Sequence, residues 1–187
     1  MENETHHQCV IPLHKPSKKE LTFFFVSGIL VSFPFGYFFE SFYPAELSFA
    51  LLVIVFAPFI EELAKVFPLF YRHGETERSL VTLGLLIGLG FGVAEFAEYV
   101  IFVGVSPIAR LPGVIFHASS ATITAYGVAK KKPLPYYLLA VALHIANNFF
   151  ALTGYFTGSL VELLVLMTAY LLAWRYYHDA SKEKIVA

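Results

Sequence analysis

Six apolar stretches, each about long enough to cross a bilayer, follow one another through the chain and leave little between them. They lie at roughly 21–42, 46–71, 79–104, 111–129, 134–153 and 158–177. The breaks between them are short and hold charges, Pro or Gly: YPAE, RHGETERS, VSPIARLPG, KKKPLP and TGYFTG. The pattern implies an all-α fold, a polytopic membrane helix bundle of about six transmembrane helices. Soluble domains run near a quarter charged; here the charged residues are 14% and the hydrophobic ones 57%, with a mean hydropathy of +0.66. The 20 Phe and 11 Tyr suit lipid contact and interfacial anchoring.

Lys and Arg alternate with the connections. Lys15, Lys18 and Lys19 precede the first stretch, and the first connection has none. Arg72 and Arg78 lie in the second, Arg110 alone in the third, and Lys130, Lys131 and Lys132 in the fourth. The fifth has none, and Arg175, Lys182 and Lys184 close the chain. Positive loops stay in the cytoplasm, so both termini are expected there. The expected organisation is a polar cytoplasmic tail at 1–20, one transmembrane domain at 21–178 and a second cytoplasmic tail at 179–187. No apolar h-region opens the chain, so no cleavable signal peptide is expected. The single cysteine, Cys9, gives no disulfide framework, and a net charge of -1 gives no case for nucleic acid. The HHQC run and His14 read as a mobile polar tail, not a metal site.

Ionisable groups are costly inside a membrane, face the bundle interior and mark function. They are few here: Glu61, Glu62 and Lys65 in the second stretch, Glu95 and Glu98 in the third, His117 in the fourth, and His144 with Asn147 and Asn148 in the fifth. The rise of a helix places Glu61 and Glu62 about 14 Å above the cytoplasmic edge and Glu95 at roughly 22–24 Å. His117 falls at about 18–20 Å, His144 at about 15 Å and Asn148 at about 21 Å. Four helices thus bring polar groups to a common depth, which implies one shared site.

Helical phase adds detail. His144 and Asn148 share a face. Glu61 and Lys65 do too, so Lys65 is expected to pair with Glu61 or to snorkel to the cytoplasmic edge. Glu61 and Glu62 point about 100° apart and are not expected to be equivalent. Gly84, Gly88 and Gly92 form a stripe suited to close helix packing, and Glu95 follows one turn later. Pro58 and Pro68 bracket the glutamate pair, and either is expected to kink the helix or to free backbone groups near the site.

Three kinds of chemistry suit this set. A buried glutamate can act as general base on a water, with a histidine helping and histidine and amide donors stabilising an oxyanion. The same Glu and His residues can instead bind zinc, with Glu61, His117 and His144 as the ligands, though no H-E-x-x-H motif is present. A scaffold or a small transporter also uses midplane ionisable groups; no internal repeat of the transporter kind is visible.

The ordered segments APFIEELAK, GLGFGVAEFAEY, HASSATITAYG and LHIANN, covering roughly residues 50–150, resemble the PrsW-type family of glutamic intramembrane proteases. They are more distantly similar to the CAAX-processing and bacteriocin-processing membrane endopeptidases. The resemblance implies that the transmembrane domain is catalytic and hydrolyses a peptide bond of a membrane-anchored protein substrate. It implies Glu61 as general base, Glu62 as its partner, His117 in water activation, and His144 with Asn148 as the oxyanion site. Glu95 matches the family's third-helix glutamate, but Phe96 stands where the family usually has Asn. No cofactor is implied, and the setting is a multi-pass protein of a prokaryotic cell membrane.

Overall fold

A computed structural model describes residues 15–44, 48–71, 76–153 and 156–186. Among these residues the chain is helical almost throughout, and its only β pairing is one isolated bridge between Thr76 and Ile185. The helices join into six rods. α1 spans Lys18–Glu40; α2 runs over 49–66 and ends in a 3-10 turn at Phe67–Tyr71; α3 spans Glu77–Val103. α4 spans Pro107–Ala129, α5 Pro133–Thr153 and α6 Phe156–Asp179. The HHQC run, His14 and Arg72 lie outside the described residues.

Four rods contain helix long and apolar enough to cross a membrane: Lys18–Glu40, Glu77–Val103, Pro133–Leu152 and Leu160–Asp179. The sequence led us to expect six. α2 and α4 are helical as expected, but their composition is more polar. α2 concentrates Glu61, Glu62 and Lys65, and α4 carries His117, Ser119, Ser120, Thr122 and Thr124, all five of them buried. Those polar residues lie on the sides of α2 and α4 that face other helices, and a side packed on protein has no need to be apolar. The outward sides are different: Phe23, Leu30, Phe102, Ile108 and Leu164 are all more than half exposed, as lipid-facing side chains would be.

The glycine stripe brings α3 against α4. A Cβ at Gly88 would collide with the His117 carbonyl oxygen, and one at Gly92 would lie 2.9 Å from Val114 Cα. With no side chain there, the backbone of α3 touches the turn of α4 that carries His117. That contact sets the distance between Glu95, one turn after Gly92, and His117.

Proline shapes α2. Residues 52–56 form a π-helical turn in which the Ala57 N–H bonds the Leu52 carbonyl. The Val53 carbonyl therefore loses its ordinary partner, Ala57, and the next residue, Pro58, has no N–H to offer. Asn148 of α5 fills the gap, its Nδ2 donating to Val53 O at 3.0 Å. A sequence feature of α2 thereby fixes where α5 docks.

At the opposite end the C-terminal residues fold back. Arg78 N donates to Ser181 O, Glu77 N to Lys184 O, and the Arg78 guanidinium to the His178 and Ala180 carbonyls. The fully buried Glu77 carboxylate accepts from Ser181 N at 3.0 Å and from Lys130 Nζ at 2.5 Å, with Lys184 Nζ 3.1 Å away. The start of α3, the end of α4 and the segment after α6 are clamped together. Over its described residues the segment after α6 forms a strap on α3.

Candidate active site

Glu62 is fully buried and holds two groups at once. Its Oε1 accepts from Lys65 Nζ at 2.7 Å and from His144 Nδ1 at 2.8 Å. Lys65 was expected to pair with Glu61 or snorkel. It does not snorkel: it is fully buried, keeps the expected ion pair with Glu61 Oε2 at 3.9 Å, and makes a closer bond to Glu62 Oε1, one turn back, at 2.7 Å. The Lys65 ammonium also lies 4.8 Å from the centre of the Phe91 ring, whose face attracts a cation. The phase difference between the two glutamates is thus used fully. Glu62 turns into the bundle and hydrogen-bonds Lys65 and His144, while Glu61 faces the same two groups at longer range, 3.9 and 3.8 Å.

A second carboxylate does for His117 what Glu62 does for His144. Glu95 Oε2 lies 2.5 Å from His117 Nε2, and its Oε1 lies 2.7 Å from Arg110 Nη2. The Arg110 guanidinium packs 3.9 Å from the centre of the Tyr99 ring. Each carboxylate is already paired with a cation, so it accepts, and the ring nitrogen facing it carries the proton. That fixes both tautomers by the hydrogen-bond network. His117 keeps Nδ1 and His144 keeps Nε2 as lone-pair acceptors. His117 Nδ1 is buried and makes no hydrogen bond.

Glu61 joins the two histidines. Its Oε2 is buried, makes no hydrogen bond and lies 3.8 Å from His144 Nε2. Glu61, His117 and His144 each place one metal-ligating atom within 4.8 Å of the others, and the two imidazoles meet edge to face at 5.3 Å. This donor set of one carboxylate and two imidazoles is one that could hold a metal ion. Glu61 and Glu95 also line a cavity of about 190 Å³ between α1, α2 and α3, together with Glu40, Glu98, Tyr37 and Tyr99.

The structure brings Glu61, Glu62, Glu95, His117 and His144 into one connected cluster. Asn148 lies one turn beyond His144 and bonds α2 through one N–H of its amide. Its neighbour Asn147 donates to Asn148 Oδ1 at 3.3 Å. Asn147 and Asn148 line a second cavity, about 250 Å³, between α4, α5 and α6, with Arg110 and Glu162.

Arg110 was read from sequence as a loop charge. α4 in fact begins at Pro107, which puts Arg110 in its first turn and its guanidinium on Glu95. One signal was available: a lone cation on the side of the membrane that the charge alternation leaves bare. No family model, no curated protein and no solved structure matches this chain.

Proposed function

We propose that the protein is a glutamic intramembrane endopeptidase of the PrsW type, with six spanning helices and both termini in the cytoplasm. The reading is carried by one observation: an unbonded, buried Glu61 Oε2 beside two imidazoles whose other edges are held by carboxylates. The resemblance in sequence order and the Lys/Arg alternation support it as well. So does the placement of the strap after α6 on the start of α3, which puts the basic segments at one end.

In this mechanism the water donates to Glu61 Oε2 and to one histidine, which turns its lone pair toward the substrate carbonyl. As the water attacks the carbonyl carbon, its proton passes to Glu61. Asn148 has a second amide N–H beyond the one on Val53 O, and that N–H donates to the oxyanion. His144, its Nδ1–H held by Glu62, keeps Nε2 as an acceptor that orients the water; it donates to the oxyanion only in enzyme that has taken up a further proton from solvent before the step. The C–N bond then breaks as Glu61 returns its proton to the leaving nitrogen. The substrate is a membrane-anchored protein, reached within the lipid bilayer. Cleavage of a co-expressed membrane substrate by the wild type, and its loss in Glu61→Gln, is the test; cleavage retained by a folded variant removes Glu61 as the base.

A further inference from the structure

The Arg110 guanidinium carries several N–H donors and gives one to Glu95 Oε1 at 2.7 Å. Its Nε is buried and, among the described residues, makes no hydrogen bond. Glu162 of α6 lines the same cavity of about 250 Å³ as Arg110. It is half-buried, and no hydrogen bond or ion pair reaches it among the described residues. An unpaired carboxylate on an apolar helix is costly unless something else meets it. Asn147 and Asn148 complete the polar wall. Asn147 Nδ2 donates to Asn148 Oδ1 and Asn148 Nδ2 to Val53 O, so among the described residues each amide keeps a free N–H and Asn147 keeps its Oδ1. Donors and acceptors thus stand side by side, the complement of an unfolded backbone with its N–H and C=O on every residue. The cavity between α1, α2 and α3 differs: its polar lining is four carboxylates and two tyrosine hydroxyls, which offer little to a carbonyl oxygen.

We infer that the cavity between α4, α5 and α6 is the subsite that receives the unwound backbone of the substrate beside the bond to be cut, entered from the lipid between α5 and α6. The inference rests on the peptidase reading and adds to it where, and by what chemistry, the substrate is held. Backbone that leaves its helix at membrane depth has to bond to protein or to trapped water. Here Arg110 Nε–H and the free Asn147 N–H donate to substrate carbonyls, while Glu162 and Asn147 Oδ1 accept from substrate N–H groups. Asn148, the oxyanion donor, stands in the same wall, so a strand held in the cavity runs past the reacting carbonyl. α6 is the wall that can yield, since 11% of its apolar span is buried against 50% for α3.

The test uses the full-length protein in liposomes, with the membrane substrate found by comparing membrane proteomes of cells that express wild type and Glu61→Gln. Gly113 lines the cavity, and a Cβ there meets nothing nearer than the Arg110 guanidinium at 3.8 Å. Gly113→Leu therefore fills the space without a backbone clash. KM should rise about 10-fold in Glu162→Leu, the worth of one hydrogen bond, and at least as much in Gly113→Leu. kcat should fall far less, because binding common to ground and transition state is what is lost. Glu162→Gln should recover most of the affinity, since an amide oxygen also accepts a backbone N–H. Leu164→Ala, on the exposed side of α6, is the control and should leave KM unchanged. Synthetic substrates with one backbone amide near the cut replaced by an ester lack a single N–H. One such ester should raise KM for wild type and not for Glu162→Leu. Unfolding midpoints show which variants fold; if Gly113→Leu does not, the Glu162 variants and the esters decide alone. Wild-type KM in Glu162→Leu, with no ester effect, overturns the subsite and leaves the peptidase reading standing. A Glu162→Gln enzyme as weak as Glu162→Leu overturns backbone recognition, because the carboxylate then binds a cation of the substrate. No cleavage of any membrane protein by wild type overturns the peptidase reading, and the subsite with it.

Discussion

Glu62 Oε1 sits 2.8 Å from His144 Nδ1 while the same oxygen accepts the Lys65 ammonium at 2.7 Å. One buried carboxylate therefore ties α2 to α5 and sets which edge of His144 is left free. Removing one member of such a group leaves another uncompensated in a low-dielectric interior, at a cost of about 3–5 kcal/mol. Glu62→Gln and Lys65→Met should each destabilise by about that much. The double variant should cost clearly less than the sum of the two, because the bonded charges of Glu62 and Lys65 leave together. Unfolding midpoints in detergent for the four species measure the coupling; simple additivity would contradict it.

The bond from Asn148 to the Val53 carbonyl repairs a gap that Pro58 creates. Asn148→Leu should therefore cost about 1–3 kcal/mol for a buried carbonyl left without a donor. In a Pro58→Ala background a backbone N–H returns to α2, and the same substitution should cost less. A double-mutant cycle on stability reads this directly. Equal costs in both backgrounds would mean that Asn148 serves something other than the π-helical turn.

Gly88 has no room for a side chain, since its neighbour across the contact is the His117 backbone. Gly88→Val should push α3 from α4, destabilise by about 1–3 kcal/mol or more, and separate Glu95 from His117. Gly36→Ala is the control, because the nearest atom to its Cβ is 3.7 Å away. Unfolding midpoints of the two variants provide the comparison.

The strap after α6 depends on Glu77. Its hydrogen bond to Lys130 raises the Lys130 ammonium above its ordinary value, more than the partial burial lowers it. A raised lysine stabilises the fold at every pH below its unfolded value and loses that contribution as pH climbs through the folded one. The strap should therefore hold at neutral pH, loosen in strong alkali as Lys130 loses its proton, and loosen in strong acid as the Glu77 carboxylate gains one. Glu77→Gln should release it at pH 7. Limited proteolysis after residue 180 is the readout, and a strap equally protected in Glu77→Gln would show that the backbone bonds suffice alone.

The helical architecture was legible because a helix in lipid announces itself by length and apolarity, and the connections by charge. The clustering of Glu61, Glu95, His117 and His144 was legible too, since helical rise converts sequence position into depth. What the sequence hid was pairing across helices. Spacing paired Lys65 with Glu61, and that ion pair is present; what the sequence did not show is the closer bond to Glu62, which the rotation of α2 against α5 and α3 sets. Arg110 was hidden by a boundary: starting α4 at Pro107 instead of 111 turns a loop residue into a partner of Glu95. The strap escaped notice because Glu77 looks like any charge in a polar connection until Ser181, Lys130 and Lys184 converge on it.

The central claim concerns Glu61, and rate is its most direct measure. Wild type and Glu61→Gln are reconstituted in liposomes with a membrane substrate identified by comparing membrane proteomes of cells expressing each form. General-base loss should reduce cleavage by about 10²–10⁴-fold, with the unfolding midpoint close to wild type. A Glu61→Gln enzyme that folds and still cuts at the wild-type rate would contradict the account.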